Sequence, residues 1–233
     1  TNPLTLGAYL SFFPQLRSGP IPIAYKDLPQ YSLPRNISVT AIEESGQRIV
    51  WGIFKKVIVS GLLAKPVDYI FYNHIDLGFI YLWLAIVLYS FQVYMDFSGY
   101  SDMAWGIAKL LGIKINANFN SPFISRTIDE FWRRWHISLS TWLRDYLYIS
   151  LGGNRGSKLK TYINLFLTML LGGLWHGAGW MFIIWGGLHG AGLALDRLLS
   201  SAGQFLSKPL SKSFILILSL LCGISAYLFF KMT

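Results

Sequence analysis

The 233-residue chain is 53% hydrophobic and only 13% charged, with a formal net charge of +9 and a mean hydropathy of +0.44. A soluble domain carries about 25% charged residues, so the composition excludes an ordinary soluble globule and describes a polytopic, all-α membrane protein. The basic residues are scattered between apolar segments, which suits anionic lipid headgroups and argues against nucleic acid. The single Cys222 lies in an apolar run, which leaves no disulfide framework and no cysteine metal site.

Taken in order, residues 4–13 are apolar, stop at Pro14 and are too short to span a bilayer alone. With no initiator Met and no leader pattern, the chain reads as a fragment whose earlier membrane helices are missing. Residues 19–31, with Pro20, Pro22 and Pro29, form a turn-rich connection. Residues 41–72 read as a long amphipathic helix at the membrane surface or tilted into it, carrying Lys55 and Lys56 and broken near Pro66. Residues 77–97 are the first convincing span, and 99–112 a separate short helix containing Asp102.

The stretch 113–125 holds Asn116, Asn118, Asn120 and Pro122. It is too irregular for bare lipid and should lie against protein or line a cavity. Next comes FWRRWHISLSTWLRDYLY, residues 131–148, read as one helix. Thr127 and Glu130 have the spacing of a capping box. Asp129 with Arg133 and Glu130 with Arg134 are ion pairs four apart, each with the acid first. His136, Ser140 and Arg144 would share a polar stripe. An interfacial helix explains the Trp and Arg by themselves, though not the His.

The Gly-rich turn at 151–156, with Lys158 and Lys160 after it, is a basic membrane-proximal loop rather than a phosphate cradle, since it lacks P-loop spacing. Its charges place it on the cytoplasmic side. Spans are expected at 162–171, where Gly172 and Gly173 then loosen the helix, at 180–199, and at 214–230. No fixed-period repeat is visible.

Ionisable groups inside an apolar frame are costly and are functional candidates. Asp96 and Asp102 either pair with Arg of the Trp/Arg helix or touch substrate. His176, among Gly172, Gly173 and Gly177, reads equally as a buried core His and as a group that a ligand can approach. His136 reads as part of the interfacial helix, His189 as packing, and His74 as exposed beside a turn. With no H-E-x-x-H, no Cys/His cluster and no His pair four apart, metal binding is not expected. No G-x-S-x-G elbow supports a serine nucleophile.

Four stretches together carry a resemblance. They are SFFPQLRSGPI (11–21), FQVYMDFSGYSDMAWGIAKLLGI (91–113), NFNSPFISRTIDEFWRRWHISLSTWLRDYLYISLGGNR (118–155) and GGLWHGAGWMFIIWGGLHG (172–190). In this order they resemble the membrane-bound O-acyltransferases, on the bacterial branch of the alginate O-acetyltransferase and teichoic-acid D-alanylation membrane subunits and nearer the former. The resemblance implies one multi-helix membrane domain, here 1–233, lacking the family's N-terminal helices.

It further implies a tunnel through the bacterial cytoplasmic membrane. A thioester donor, acetyl-CoA or an acyl-carrier protein, would enter from the cytoplasm. A periplasmic or extracellular partner protein or polysaccharide would accept the acyl group, with no bound cofactor or metal. The family's two functional histidines fall on His176, in L-W-H-G, and His136, in W-R-R-W-H. Arg133, Arg134 and Asp102 are candidates for substrate contact, and the Trp175 indole or the Asn120 amide for an oxyanion donor. The rival classes are a transporter or lipid flippase, against which the lack of paired repeat halves argues, and a scaffold subunit with structural histidines.

Overall fold

A computed structural model describes residues 2–201; Cys222 and the span expected at 214–230 lie outside the described residues. Among them the secondary structure is helical throughout, without strands. They fall into two packing units: 2–120 with His136–Leu139, and Ser121–Trp135 with 140–201.

The first unit is built on α6, Phe79–Leu110, together with α1 (Pro3–Leu10), α2 (Ala24–Asp27), α3 (Val39–Ile53), α4 (Ser60–Tyr72) and α5 (His74–Leu77). At 32 residues and 1.5 Å per residue, α6 is about 48 Å long, more than a hydrocarbon core of about 30 Å. It is the one described helix both long and apolar enough to cross a membrane. The division expected between 97 and 99 is therefore absent. Gly99 marks a contact instead of a break. A Cβ on Gly99 would lie 2.6 Å from the Gly52 carbonyl oxygen, and one on Gly52 equally near that of Gly99. Backbone meets backbone there, which only glycine on both sides allows.

The helix expected at 41–72 does form, running from α3 into α4 without a break at Pro66. Its irregularity lies upstream, where Phe54–Val59 opens into a π turn. That turn carries Lys55 and Lys56, whose ammonium groups meet Asp102 at 2.7 Å and Asp96 at 2.5 Å on α6. Arg48 on α3 takes the other Asp102 oxygen at 2.8 Å. Structural pairing of the two carboxylates is thus correct, but their partners come from the α3–α4 helix rather than from the Trp/Arg segment. The apolar core at the C-terminal end of α6 is Phe12, Ala104, Ala108, Ile113 and Ile115.

The second unit is a hairpin of α9 (Lys158–His176) and α10 (Trp180–Ser201), joined by α7 (Ile128–Arg134). Its core is Ile128, Phe131, Trp132, Met169 and Leu193. Gly172 and Gly173 do not loosen α9, which stays helical to His176. They are buried points of close packing: a Cβ on Gly173 would sit 2.3 Å from the Phe182 carbonyl oxygen, and one on Gly186 would sit 2.5 Å from that of Met169. Gly187, one position on, has ordinary room, its nearest neighbour at 3.7 Å.

This contrast sets an expected result. Gly186→Ala forces α9 and α10 apart and should cost about 1–3 kcal/mol. Gly187→Ala should be neutral or stabilising by up to about 1 kcal/mol, because it removes a glycine from a helix interior. Thermal unfolding of detergent-purified protein, followed by size-exclusion chromatography, checks both. Equal melting of the two variants would show that the hairpin does not depend on that contact.

Candidate functional site

The Trp/Arg segment is not one helix. Thr127 caps α7, its hydroxyl accepting the Glu130 N–H at 3.0 Å. Glu130 reaches back not to Thr127 but to the Arg126 N–H, at 2.7 Å. That bond, with a smaller contribution from Arg134, holds the Glu130 carboxyl below the usual range. Asp129–Arg133 and Glu130–Arg134 close at 2.7 and 2.9 Å, as their spacing predicts. Both Arg candidates are therefore engaged with acids of their own helix, Arg133 largely exposed and Arg134 half-buried.

Helix α7 then ends. Trp135 is extended, at φ −102° and ψ 131°, and His136 sits in the left-handed region at φ 41°. Helix α8, Ile137–Trp142, begins beyond it, and Leu143–Tyr148 is a second π turn. The expected stripe of His136, Ser140 and Arg144 on a helix shared with Arg133 and Arg134 is thus overturned. Positive φ is uncommon in residues other than glycine, and such outliers persist only where their surroundings over-determine them.

Here the surroundings are explicit. Asn118, 1% exposed, receives the Ile137 N–H on its backbone carbonyl at 2.9 Å. Its side-chain oxygen accepts both the Ser138 N–H, at 3.2 Å, and the Ser138 hydroxyl, at 2.7 Å. The Ser138 oxygen in turn accepts the Ile21 N–H at 2.9 Å. The His136 ring is buried and lies 4.7 Å, centroid to centroid, from Phe97 of α6. Its Nδ1 accepts the Leu139 N–H at 3.3 Å, one of the orphan donors of the first turn of α8.

His176 closes α9, just before Gly177. Of the two readings left open for His176, a buried core histidine and a group that a ligand can approach, the exposure of this residue favours the second. Two indoles hold the ring edge-on, Trp175 at 5.0 Å and Trp185 of α10 at 5.2 Å. Trp185 leads on to His189, at 4.9 Å. His189 is 2% exposed and packs 5.0 Å from Trp132, in keeping with its reading as packing. The close turn at Gly177 brings the Phe182 ring against the backbone, where a Cβ would lie 1.9 Å from Cε2.

Of the remaining sequence candidates, Trp175 is 60% exposed beside His176, Asn120 is exposed, and Asp102 is held in its ion pairs. Two features went unnoticed in the sequence. Asn118 was one asparagine among three, and only its burial distinguishes it. The Trp132 indole nitrogen is buried and bonds no described residue. Among the described residues no cluster of three His, Cys, Asp or Glu side chains stands ready for a metal ion.

A family model for the membrane-bound O-acyltransferases matches residues 1–230. The chain belongs to that family. It is 51% identical over 199 residues to the probable alginate O-acetylase AlgI of Pseudomonas aeruginosa, covering 85% of this chain and 38% of that protein. It is 46% identical over 201 residues to the peptidoglycan O-acetyltransferase of Helicobacter pylori, covering 85% and 38%. Against the teichoic acid D-alanyltransferase of Streptococcus thermophilus it is 33% identical over 214 residues, covering 82% and 50%. The ranking agrees with the nearer resemblance to the alginate type. The chain spans about two fifths of the length of the alginate-type relatives it matches. Members of the family are integral membrane proteins, in line with the composition and with α6.

Proposed function

We propose that the intact protein is a multi-pass O-acyltransferase of the bacterial cytoplasmic membrane. It would move an acyl group, acetyl by its likeness to alginate and peptidoglycan O-acetylases, from a cytoplasmic thioester to a hydroxyl of an exported polysaccharide or of a partner that carries the group onward. The donor is acetyl-CoA or an acyl-carrier protein. The observation that carries this reading is the setting of His176: an exposed residue, its ring steadied by two indoles, at the end of α9 just before Gly177.

The chemistry follows from what a hydroxyl needs. Neutral, it is a weak nucleophile, and it attacks a thioester only as a base takes its proton. Imidazole is the side chain suited to accept a proton near neutral pH. His176 takes the hydroxyl proton as the new C–O bond forms; the C–S bond then breaks, and the proton passes to the departing thiolate. The carbonyl oxygen carries negative charge in between and needs donors, for which the indole of Trp175, beside His176, is the candidate.

The test is donor turnover. Purified intact protein, given radiolabelled acetyl-CoA or acetylated carrier protein with an oligosaccharide acceptor, should release thiol and label the acceptor in equal amounts. Movement of a lipid or sugar across vesicles without thiol release would instead establish a transporter.

A further inference from the structure

The two indoles that meet the ring of His176 differ in how they are themselves held. Trp175 is 60% exposed, and among the described residues His176 is its one ring contact. Trp185 of α10 packs against the buried core of the second unit. Three rings surround it: Trp132 of α7 at 6.0 Å and 77°, His189 one turn further along α10 at 4.9 Å and 62°, and His176 at 5.2 Å and 87°. Trp132 and His189 are both buried and meet each other at 5.0 Å. Edge-to-face pairs at such separations are a favoured aromatic geometry. Trp185 thus reaches from the core to His176.

The helix backbones set this reach. Gly173 lies one turn before His176, and Gly186 follows Trp185. A Cβ on Gly173 would come 3.1 Å from the Gly186 Cα, and one on Gly186 would come 3.2 Å from the Gly173 Cα. The backbones of α9 and α10 touch there, which holds His176 and Trp185 at one spacing. Every residue of this set lies within the second packing unit.

We propose that Trp185 is a positioning residue, which fixes the ring plane of His176 from the core side while the Gly173–Gly186 contact sets its distance. A base that takes a proton as a C–O bond forms must present one ring nitrogen in one direction. A side chain at an exposed helix end would otherwise move among several rotamers. The inference rests on the acyl-transfer reading for what the fixed ring serves, but not for the fixing itself.

Two arms test it on the intact protein in detergent. In the first, NMR relaxation of histidine ring C–H groups is measured, with His176→Gln locating the His176 signals. The ring should be about as rigid as that of His189 in the wild type and in Trp175→Leu, and mobile in Trp185→Leu. A His176 ring that stays rigid in Trp185→Leu would overturn the proposal, whether or not the protein transfers acyl groups. Should Trp185→Leu fail to fold, Trp185→Met keeps more of the side-chain volume without a ring and carries the same readouts.

The second arm is kinetic. Trp185→Leu should lower kcat per folded molecule by roughly 10–10²-fold, as expected of a reacting group displaced by up to about 1 Å, with a smaller change in KM. Trp185→Phe, which retains an aromatic ring, should recover most of the loss. Leu193→Ala, which opens the same core without touching these rings, should lower thermal stability and leave kcat per folded molecule near normal. An equal loss of kcat in Leu193→Ala, or none in Trp185→Leu, would make Trp185 a core residue and no more. Absence of transfer in the wild type would count against the acyl-transfer reading, and the first arm would still decide whether Trp185 fixes the ring.

Discussion

Replacing His176 by Ala in the intact protein is expected to lower acyl transfer by about 10²–10⁴-fold, the usual contribution of a general base, while leaving membrane expression and donor binding near normal. The structure makes this a clean experiment. The residue is exposed and its ring is touched by two indoles rather than enclosed by a core, so its removal leaves no large cavity. His189 supplies the contrast. It is buried between Trp132 and Trp185, and His189→Ala should lower thermal stability more than it lowers turnover per folded molecule. Transfer should be measured over a range of donor and acceptor concentrations on variants matched for monodisperse yield. Near-normal kcat in His176→Ala would remove it as the base.

What could be read in the sequence divides by range. The Thr127 cap, the two acid-first ion pairs and the packing role of His189 depend on neighbours a few residues away or on composition, and all were legible. The break at Trp135–His136 was not. Nothing in WRRWHISLSTW is a helix breaker, since the run has neither Gly nor Pro; the helix stops because Asn118, twenty residues earlier, takes the N–H groups of Ile137 and Ser138. Gly99 misled in the opposite direction. Glycine lowers helix propensity, yet in α6 it marks where another backbone touches, and the helix passes through it. The partners of Asp102 were misplaced for the same reason: Arg48 and Lys55 lie 54 and 47 residues away, beyond any spacing rule. The family motifs identified two histidines, but their different settings, one buried and capping and one exposed between indoles, emerge only from the fold.

Asp102→Ala is expected to destabilise the protein strongly rather than to weaken substrate binding. The carboxylate is 9% exposed, and each of its oxygens is occupied, Oδ1 by Arg48 at 2.8 Å and Oδ2 by Lys55 at 2.7 Å. Arg48 is 46% exposed and can turn to solvent when its partner is lost. Lys55 is only 15% exposed and cannot do so easily. Removing one member of a buried pair typically costs about 3–5 kcal/mol, because the other charge is left uncompensated. For a chain of this size that corresponds to a fall in Tm on the order of 10 °C. The double variant Lys55→Met with Asp102→Leu removes both buried charges and should recover most of the loss, as apolar replacements of buried pairs commonly do. Thermal unfolding of the two variants, alongside KM for donor and acceptor, separates the roles. A well-folded Asp102→Ala protein with an unchanged Tm and a raised KM would show instead that the carboxylate contacts substrate, and that its ion pairs are incidental to the fold.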